Sequence, residues 1–206
     1  MEIKDTYKTI VKPSEGTLFK DKNSKFFGYA YPITKEEDVK TTIVALKKQH
    51  HSARHWCYAY QLGTDPTKVK YRANDDGEPS NSAGMPIYGQ IQSYDITNVL
   101  IVVVRYFGGV KLGVGGLINA YRTGAQLALE ASEIVERTIN IEFLITFDYA
   151  NVNKVMRVIK EKNITIISQK LELDCQITIS VRKKKASEIE AIFEALYKVD
   201  IKTLED

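Results

Sequence analysis

From residue 139 onward the chain alternates so regularly that few folds can accommodate it. Ile139, Ile141, Phe143, Ile145 and Phe147 interleave with Asn140, Glu142, Leu144, Thr146 and Asp148, nearly all polar. Side chains on a strand point alternately to opposite faces, so this is a strand with one buried face. Val152, Val155, Met156 and Ile159 then recur at helical spacing, and a short strand is expected at 164–168. Leu171, Leu173, Cys175, Ile177, Ile179 and Val181 alternate with polar partners over a second long strand. Ile189, Ile192, Phe193 and Leu196 mark another amphipathic helix, and residues 199–204 close with a strand. The order β-α-β-β-α-β is the split βαβ, or ferredoxin-like, arrangement, in which two helices cover one face of the sheet.

The preceding part is less regular. Residues 16–19 and 24–31 read as a strand pair. Thr34 with Glu37 makes a capping box ahead of a helix carrying Val39, Ile43 and Leu46. Strands follow at 55–62 and 69–72, then a polar loop from Asn74 to Gly84 and a helix through Ile87 and Ile91. Residues 99–104 are continuously apolar and mostly β-branched, which predicts a central strand buried on both faces. A glycine-rich stretch and a long helix, from Leu117 to about Ile134, complete this half. The class is therefore α/β in the α+β sense, with domains at 1–137 and 138–206. No flexible linker separates them, so the two halves are expected to pack together.

Bulk properties exclude little. The net charge of +3 permits a basic patch without demanding a polyanionic partner. The two cysteines, Cys57 and Cys175, fall in different domains with no metal-ligand spacing, so neither a disulfide nor a zinc site is expected. The start lacks the basic and apolar regions of a secretion signal, and the longest apolar run, 99–104, is far short of the ~20 residues a bilayer requires. The expected address is the cytoplasm, with no membrane role and no cofactor.

Chemistry concentrates in two places. Gly108, Gly109, Gly113, Gly115 and Gly116 lie between the buried strand and the long helix, flanked by Arg105 and Lys111. Such a turn can bring backbone amides close to an anion at a helix start, or it can permit close strand–helix packing. It is neither a P-loop, lacking Gly-Lys-Ser/Thr, nor a dinucleotide fingerprint, since Ile118 stands where the third glycine belongs. The second place is the loop of Asp75, Asp76 and Glu78. Its carboxylates could hold a hard cation, but Ala83 stands where an EF-hand needs its glutamate, and Asp76-Gly77 is a common turn pair. Ser80 or Ser82 could cap the next helix. His50, His51 and His55 cluster near Arg54, with Trp56, Tyr58 and Tyr60 on one strand face opposite Cys57 and Ala59. Those rings are either core or a stacking surface for RNA bases. No nucleophile meets a base, and Lys183-Lys184-Lys185 reads as a solvated loop.

The loop Asp75-Asp76-Gly77-Glu78-Pro79-Ser80, the Ala83-Gly84-x-Pro86 step and the block from Val104 through Arg105-Tyr106-Phe107-Gly108-Gly109-x-Lys111-Leu112-Gly113-x-Gly115-Gly116 to Leu117 resemble the IMPACT family, in particular its bacterial YigZ-like members. The resemblance implies an N-terminal left-handed βαβ domain of the ribosomal-protein and elongation-factor type. It also implies a C-terminal domain similar to the last domain of elongation factor G. Its eukaryotic relatives regulate translation by binding a kinase activator through an additional domain missing from this sequence, so that partner does not transfer. What it implies here is a non-enzymatic, translation-linked module that binds RNA or the ribosome. The contacts expected are Arg54, His55, Arg105, Gly108, Gly109, Lys111, Gly113, Gly115, Gly116 and Arg122, with Trp56 or Tyr58 for stacking and Asp75, Asp76, Glu78, Ser80 and Ser82 beside them. Two alternatives stand: an enzyme holding a phosphorylated ligand on the glycine turn with Asp75, Asp76 or Glu78 as base or Mg²⁺ ligand, and a protein-interaction adaptor. The chain departs from the family pattern at Asn81-Ser82, commonly Gly-Thr, and at Asn119, often basic.

Overall fold

The computed structural model describes residues 4–204. Two compact units result, one running from Tyr7 to Arg137, the other joining the segment that ends at Thr6 to everything from Thr138 on. The first contains β1 (Thr6–Ile10), β2 (Thr17–Asp21), β3 (Ser24–Pro32), α1 (Glu36–Gln49), β4 (His55–Leu62), β5 (Lys70–Asn74), α2 (Gly84–Ser93), β6 (Val99–Tyr106), α3 (Gly113–Glu130) and β7 (Ile134–Thr138). Its main sheet has the order β2-β3-β6-β4-β5, every neighbour antiparallel. Since β3 and β4 both run against β6, the β3-α1-β4 unit is a crossover that straddles the central strand.

Strand β6 shows why its sequence lacks alternation. Val99, Ile101 and Val103 pack with Phe26, Cys57 and Ala59 in the core beneath α2 and α3. Leu100, Val102 and Val104 pack with Tyr29, Tyr60, Val39 and Leu46 in the core beneath α1. Each of these six β6 residues is wholly buried, and together they contribute on the order of 10 kcal/mol of hydrophobic burial. Helix α3 approaches β3 so closely that a Cβ on Gly28 would lie 2.2 Å from the carbonyl oxygen of Gly124.

Three local readings need correction. Helix α3 begins at Gly113, four residues before the expected Leu117, and ends at Glu130. Glycine is a poor helix former, so its presence concealed the first turn. Residues 134–138 form β7, which pairs with the unforeseen β1 in a two-stranded sheet rather than extending the helix. Finally, α1 starts at Glu36, and Asp38 in its first turn reaches back to the residues before it, its Oδ2 accepting from Thr34 N (2.9 Å) and Lys35 N (3.2 Å), in place of a Thr34–Glu37 box.

In the second unit β8 (Asn140–Asp148), α4 (Val152–Glu161), β9 (Thr165–Lys170), β10 (Asp174–Arg182), α5 (Ala186–Glu194) and β11 (Val199–Thr203) build an antiparallel sheet of order β11-β8-β10-β9. Strand β10 separates β8 from β9, as a split βαβ requires. Phe143, Ile145 and Phe147 face Ile179, Ile177 and Cys175 across the β8–β10 ladder, and Val155, Ile159, Ile189 and Phe193 from the helices cover them. Leu171 and Leu173, expected inside the long strand, instead sit exposed in the β9–β10 hairpin. No helix among the described residues is long and apolar enough to cross a membrane.

Candidate nucleic-acid interface

The β4–β6 register sets His55 directly opposite Arg105 at one end of the main sheet. Arg105 turns inward. It is 5% exposed, and its Nη1 donates to Oε1 of Glu78 at 2.6 Å. The hydroxyl of Tyr121 donates to the same oxygen at 2.7 Å, and Glu78 is itself buried. The guanidinium lies between the rings of Phe26 and Phe107, its Cζ 5.5 Å from each centroid. Its Nε has no hydrogen-bond partner among the described residues. The expectation that Arg105 reaches an external phosphate therefore fails, because its charge is consumed inside the fold by Glu78.

The rest of the acidic loop is also committed inward. Asp75 Oδ1 accepts from the amides of Ala83 (2.9 Å) and Gly84 (2.8 Å), and Oδ2 accepts from Asn81 (2.9 Å). Asp75 thus serves the start of α2, the role expected of Ser80 or Ser82; Ser80 is exposed and buried Ser82 donates to the Pro79 carbonyl instead. Asp76 Oδ2 accepts from the amide of Trp56 at 2.7 Å, while its carbonyl accepts from His55 Nδ1 at 2.9 Å. A carbonyl oxygen can only accept, so Nδ1 donates in that bond, and Nε2 lies 3.9 Å from Glu78. Cys57 is buried and donates its thiol hydrogen to the Asp75 carbonyl. Burial pushes the Cys57 thiol and the Tyr121 hydroxyl far above their ordinary pKa values, so neither ionises near neutral pH. No group of three His, Cys, Asp or Glu side chains that could hold a metal occurs among the described residues.

The glycine turn behaves in the opposite way. Gly108 is fixed: its amide donates to Ser24 Oγ at 3.1 Å, and an added Cβ would sit 2.1 Å from the backbone of Asn23. Beyond it the chain opens. Gly109 and Gly113 adopt left-handed φ values of +85° and +75°, which favour glycine, with empty space around both. Gly115 also has open space but an ordinary φ, and Gly116 packs against Leu112. Lys111 is exposed, as are Phe107 (50%), Val110 and Val114. No side chain caps the start of α3. Arg122 is exposed farther along the same helix, on the stripe shared by Gly115 and Asn119.

Clamping Gly108 onto the β2–β3 hairpin adds two cations that sequence reasoning missed. Lys22 and Lys25 are both exposed, and Lys25 pairs across from Tyr106 in the β3–β6 register. Only the strand pairing could have found them. A shallow, open cavity of about 430 Å³ lies alongside, lined by Ser52, Arg54, His55, Tyr106 and Phe107. Trp56 and Tyr58 point to the other face of the sheet, where they pack against the α1-side core and Lys47 lies 5.1 Å from the indole centroid. Both are partly buried on that face. His50 is buried between the hydroxyls of Tyr29 (2.7 Å) and Tyr106 (2.9 Å), and burial lowers its pKa.

A family model described as the Impact N-terminal domain matches residues 22–129, which takes in the acidic loop, the glycine turn and nearly all of α3. The chain belongs to the IMPACT family. An IMPACT family member of Haemophilus influenzae is 33% identical over 177 residues, covering 84% of each chain. The Escherichia coli member YigZ is 27% identical over 170 residues, covering 82% of this chain and 83% of YigZ. A crystal structure of a hypothetical protein superposes with a TM-score of 0.75 at 23% identity, covering 99% of this chain and 100% of that one, which supports the fold. In this IMPACT chain the Asp75–Ser80 loop and the Val104–Leu117 block meet at a buried contact, Glu78 with Arg105, and part company around it.

Proposed function

We propose that this chain is a non-enzymatic, translation-linked module that binds RNA, ribosomal RNA included, through the outward side of the 107–115 turn. Its place in the IMPACT family supplies the translational setting. One observation carries the reading: Lys22 and Lys25 flank the point where Gly108 is clamped to the β2–β3 hairpin, Arg54 lines the cavity with Phe107, Lys111 lies in the turn, and all four are exposed with no ion-pair partner among the described residues. Such unpaired cations suit a phosphate backbone, which supplies most of the affinity in non-specific RNA binding. The loop that an enzyme would need for acid–base work is occupied, since Asp75 and Asp76 accept backbone amides and Glu78 holds Arg105 and Tyr121.

Co-sedimentation of the full chain with ribosomes, measured across salt concentrations, tests this. Four phosphate contacts on single-stranded segments give a log–log salt slope of roughly −3. Replacing Lys22, Lys25 and Lys111 together by Glu should abolish sedimentation. Sedimentation that is near zero and unchanged from low to moderate salt would refute the proposal.

A further inference from the structure

We infer that the cavity beside Phe107 takes a single unstacked nucleotide, so that the site selects single-stranded over double-stranded RNA; this rests on the RNA-binding reading above. Several features of the cavity converge on that ligand. Its volume of about 430 Å³ is at the small-ligand scale and leaves room for about one nucleotide. Phe107 forms one wall and is half exposed, so a π-face is available to a base. That ring is not loose. Arg105 lies 5.5 Å from its centroid, and Arg105 is itself pinned by Glu78 and backed by Phe26. A platform ordered before the ligand arrives loses little entropy on stacking.

The remaining lining fits the rest of a nucleotide. Arg54 is an exposed cation at the rim, placed for a phosphate. His55 adds a part-buried ring to the lining, held in place by the bond from its Nδ1 to the Asp76 carbonyl. Tyr106 forms the second aromatic wall, with its hydroxyl held by His50. Bases within an A-form duplex are stacked on both faces and cannot offer one to Phe107, whereas loops, bulges and ends can. Stacking is tolerant of base identity, so the selection is for strandedness rather than sequence.

The test is fluorescence anisotropy of the full chain with an eight-nucleotide oligouridine and with a fully paired RNA hairpin. The wild-type chain should bind the oligouridine more tightly. Phe107→Ala should weaken that binding roughly 5- to 150-fold, leaving hairpin affinity and the salt slope unchanged. Phe107→Leu, which keeps apolar bulk without a π-face, should behave the same way and controls for any folding defect seen in melting curves. Lys22→Ala with Lys25→Ala should instead weaken both RNAs and flatten the salt slope. Equal affinity for the two RNAs, or single-strand affinity within about twofold of wild type in both Phe107 variants, would overturn the inference while leaving RNA binding intact. Binding of neither RNA by the wild-type chain would overturn the RNA-binding reading and this inference with it.

Discussion

The acidic loop and the glycine turn flank the same arginine, yet they spend their polar groups in opposite directions. In the loop, Asp75, Asp76 and Glu78 all receive hydrogen bonds from the fold itself. In the turn, only Gly108 is tied down, and Gly109, Gly113 and Gly115 border open space beside exposed Lys111 and Phe107. A cluster of three carboxylates looked like a reagent and is a fastening, because a buried carboxylate is tolerated only when its lone pairs are satisfied. A run of glycines looked uniform and is divided between packing and presentation. The difference teaches that charge in a sequence marks a surface only when nothing inside the fold claims it.

The largest test of this contrast is Glu78→Ala, which strands Arg105 as a buried unpaired charge and should cost about 3–5 kcal/mol in urea denaturation. Pairing it with Arg105→Met should cost much less than the two changes summed. A Glu78→Ala loss below about 1 kcal/mol would mean that the loop is not the fastening described. Next, Gly108→Ala should destabilise by about 1–3 kcal/mol through collision with the Asn23 backbone, while Gly115→Ala should stabilise by roughly 0.5–1 kcal/mol because only helix propensity changes. Equal effects at the two positions would erase the division within the turn. Asp75→Ala removes acceptors at the start of α2 and should cost about 0.5–2 kcal/mol, by the same amount with Mg²⁺ present or absent. A loss that appears only with Mg²⁺ would restore the cation reading.

The smallest effect concerns His50, behind Tyr106. Burial depresses its folded pKa, so the unfolded chain takes up the proton first as pH falls. The neutral ring's contribution is complete above the unfolded value near 6.5 and is lost as pH drops below it toward the folded pKa. Melting temperature should therefore fall more steeply between neutral and mildly acidic pH in the wild type than in His50→Gln.

Legibility followed how locally each feature is determined. Strands β8 and β10 were visible because each residue's burial is set by the two-residue period of its own strand. Even there Leu171 and Leu173 had the right parity but the wrong place, since a hairpin turn falls where the pattern continued. Strand β6 was visible through its unbroken apolar run. Strands β1 and β7 were not, being short and paired with each other across the length of the unit. The direction of Arg105 was also hidden, because its partner Glu78 lies 27 residues away on a loop whose course is set by the β4–β5 pair and α2. Lys25 joined the site through the β3–β6 register, and Lys22 through the clamp of Gly108 on the β2–β3 turn. Phe107 was read as part of a motif, and its half-exposed ring backed by a buried guanidinium needed coordinates.

Photocrosslinking with a 4-thiouridine oligoribonucleotide, followed by mapping of the modified peptides, bears most directly on the outward face of the turn. Adducts should concentrate on the peptides carrying Tyr106 to Lys111 and Lys22 to Lys25, and disappear when the three lysines there are reversed to Glu. Adducts confined to residues 138–204, or found on the Asp75–Glu78 loop with the turn unmodified, would contradict the account.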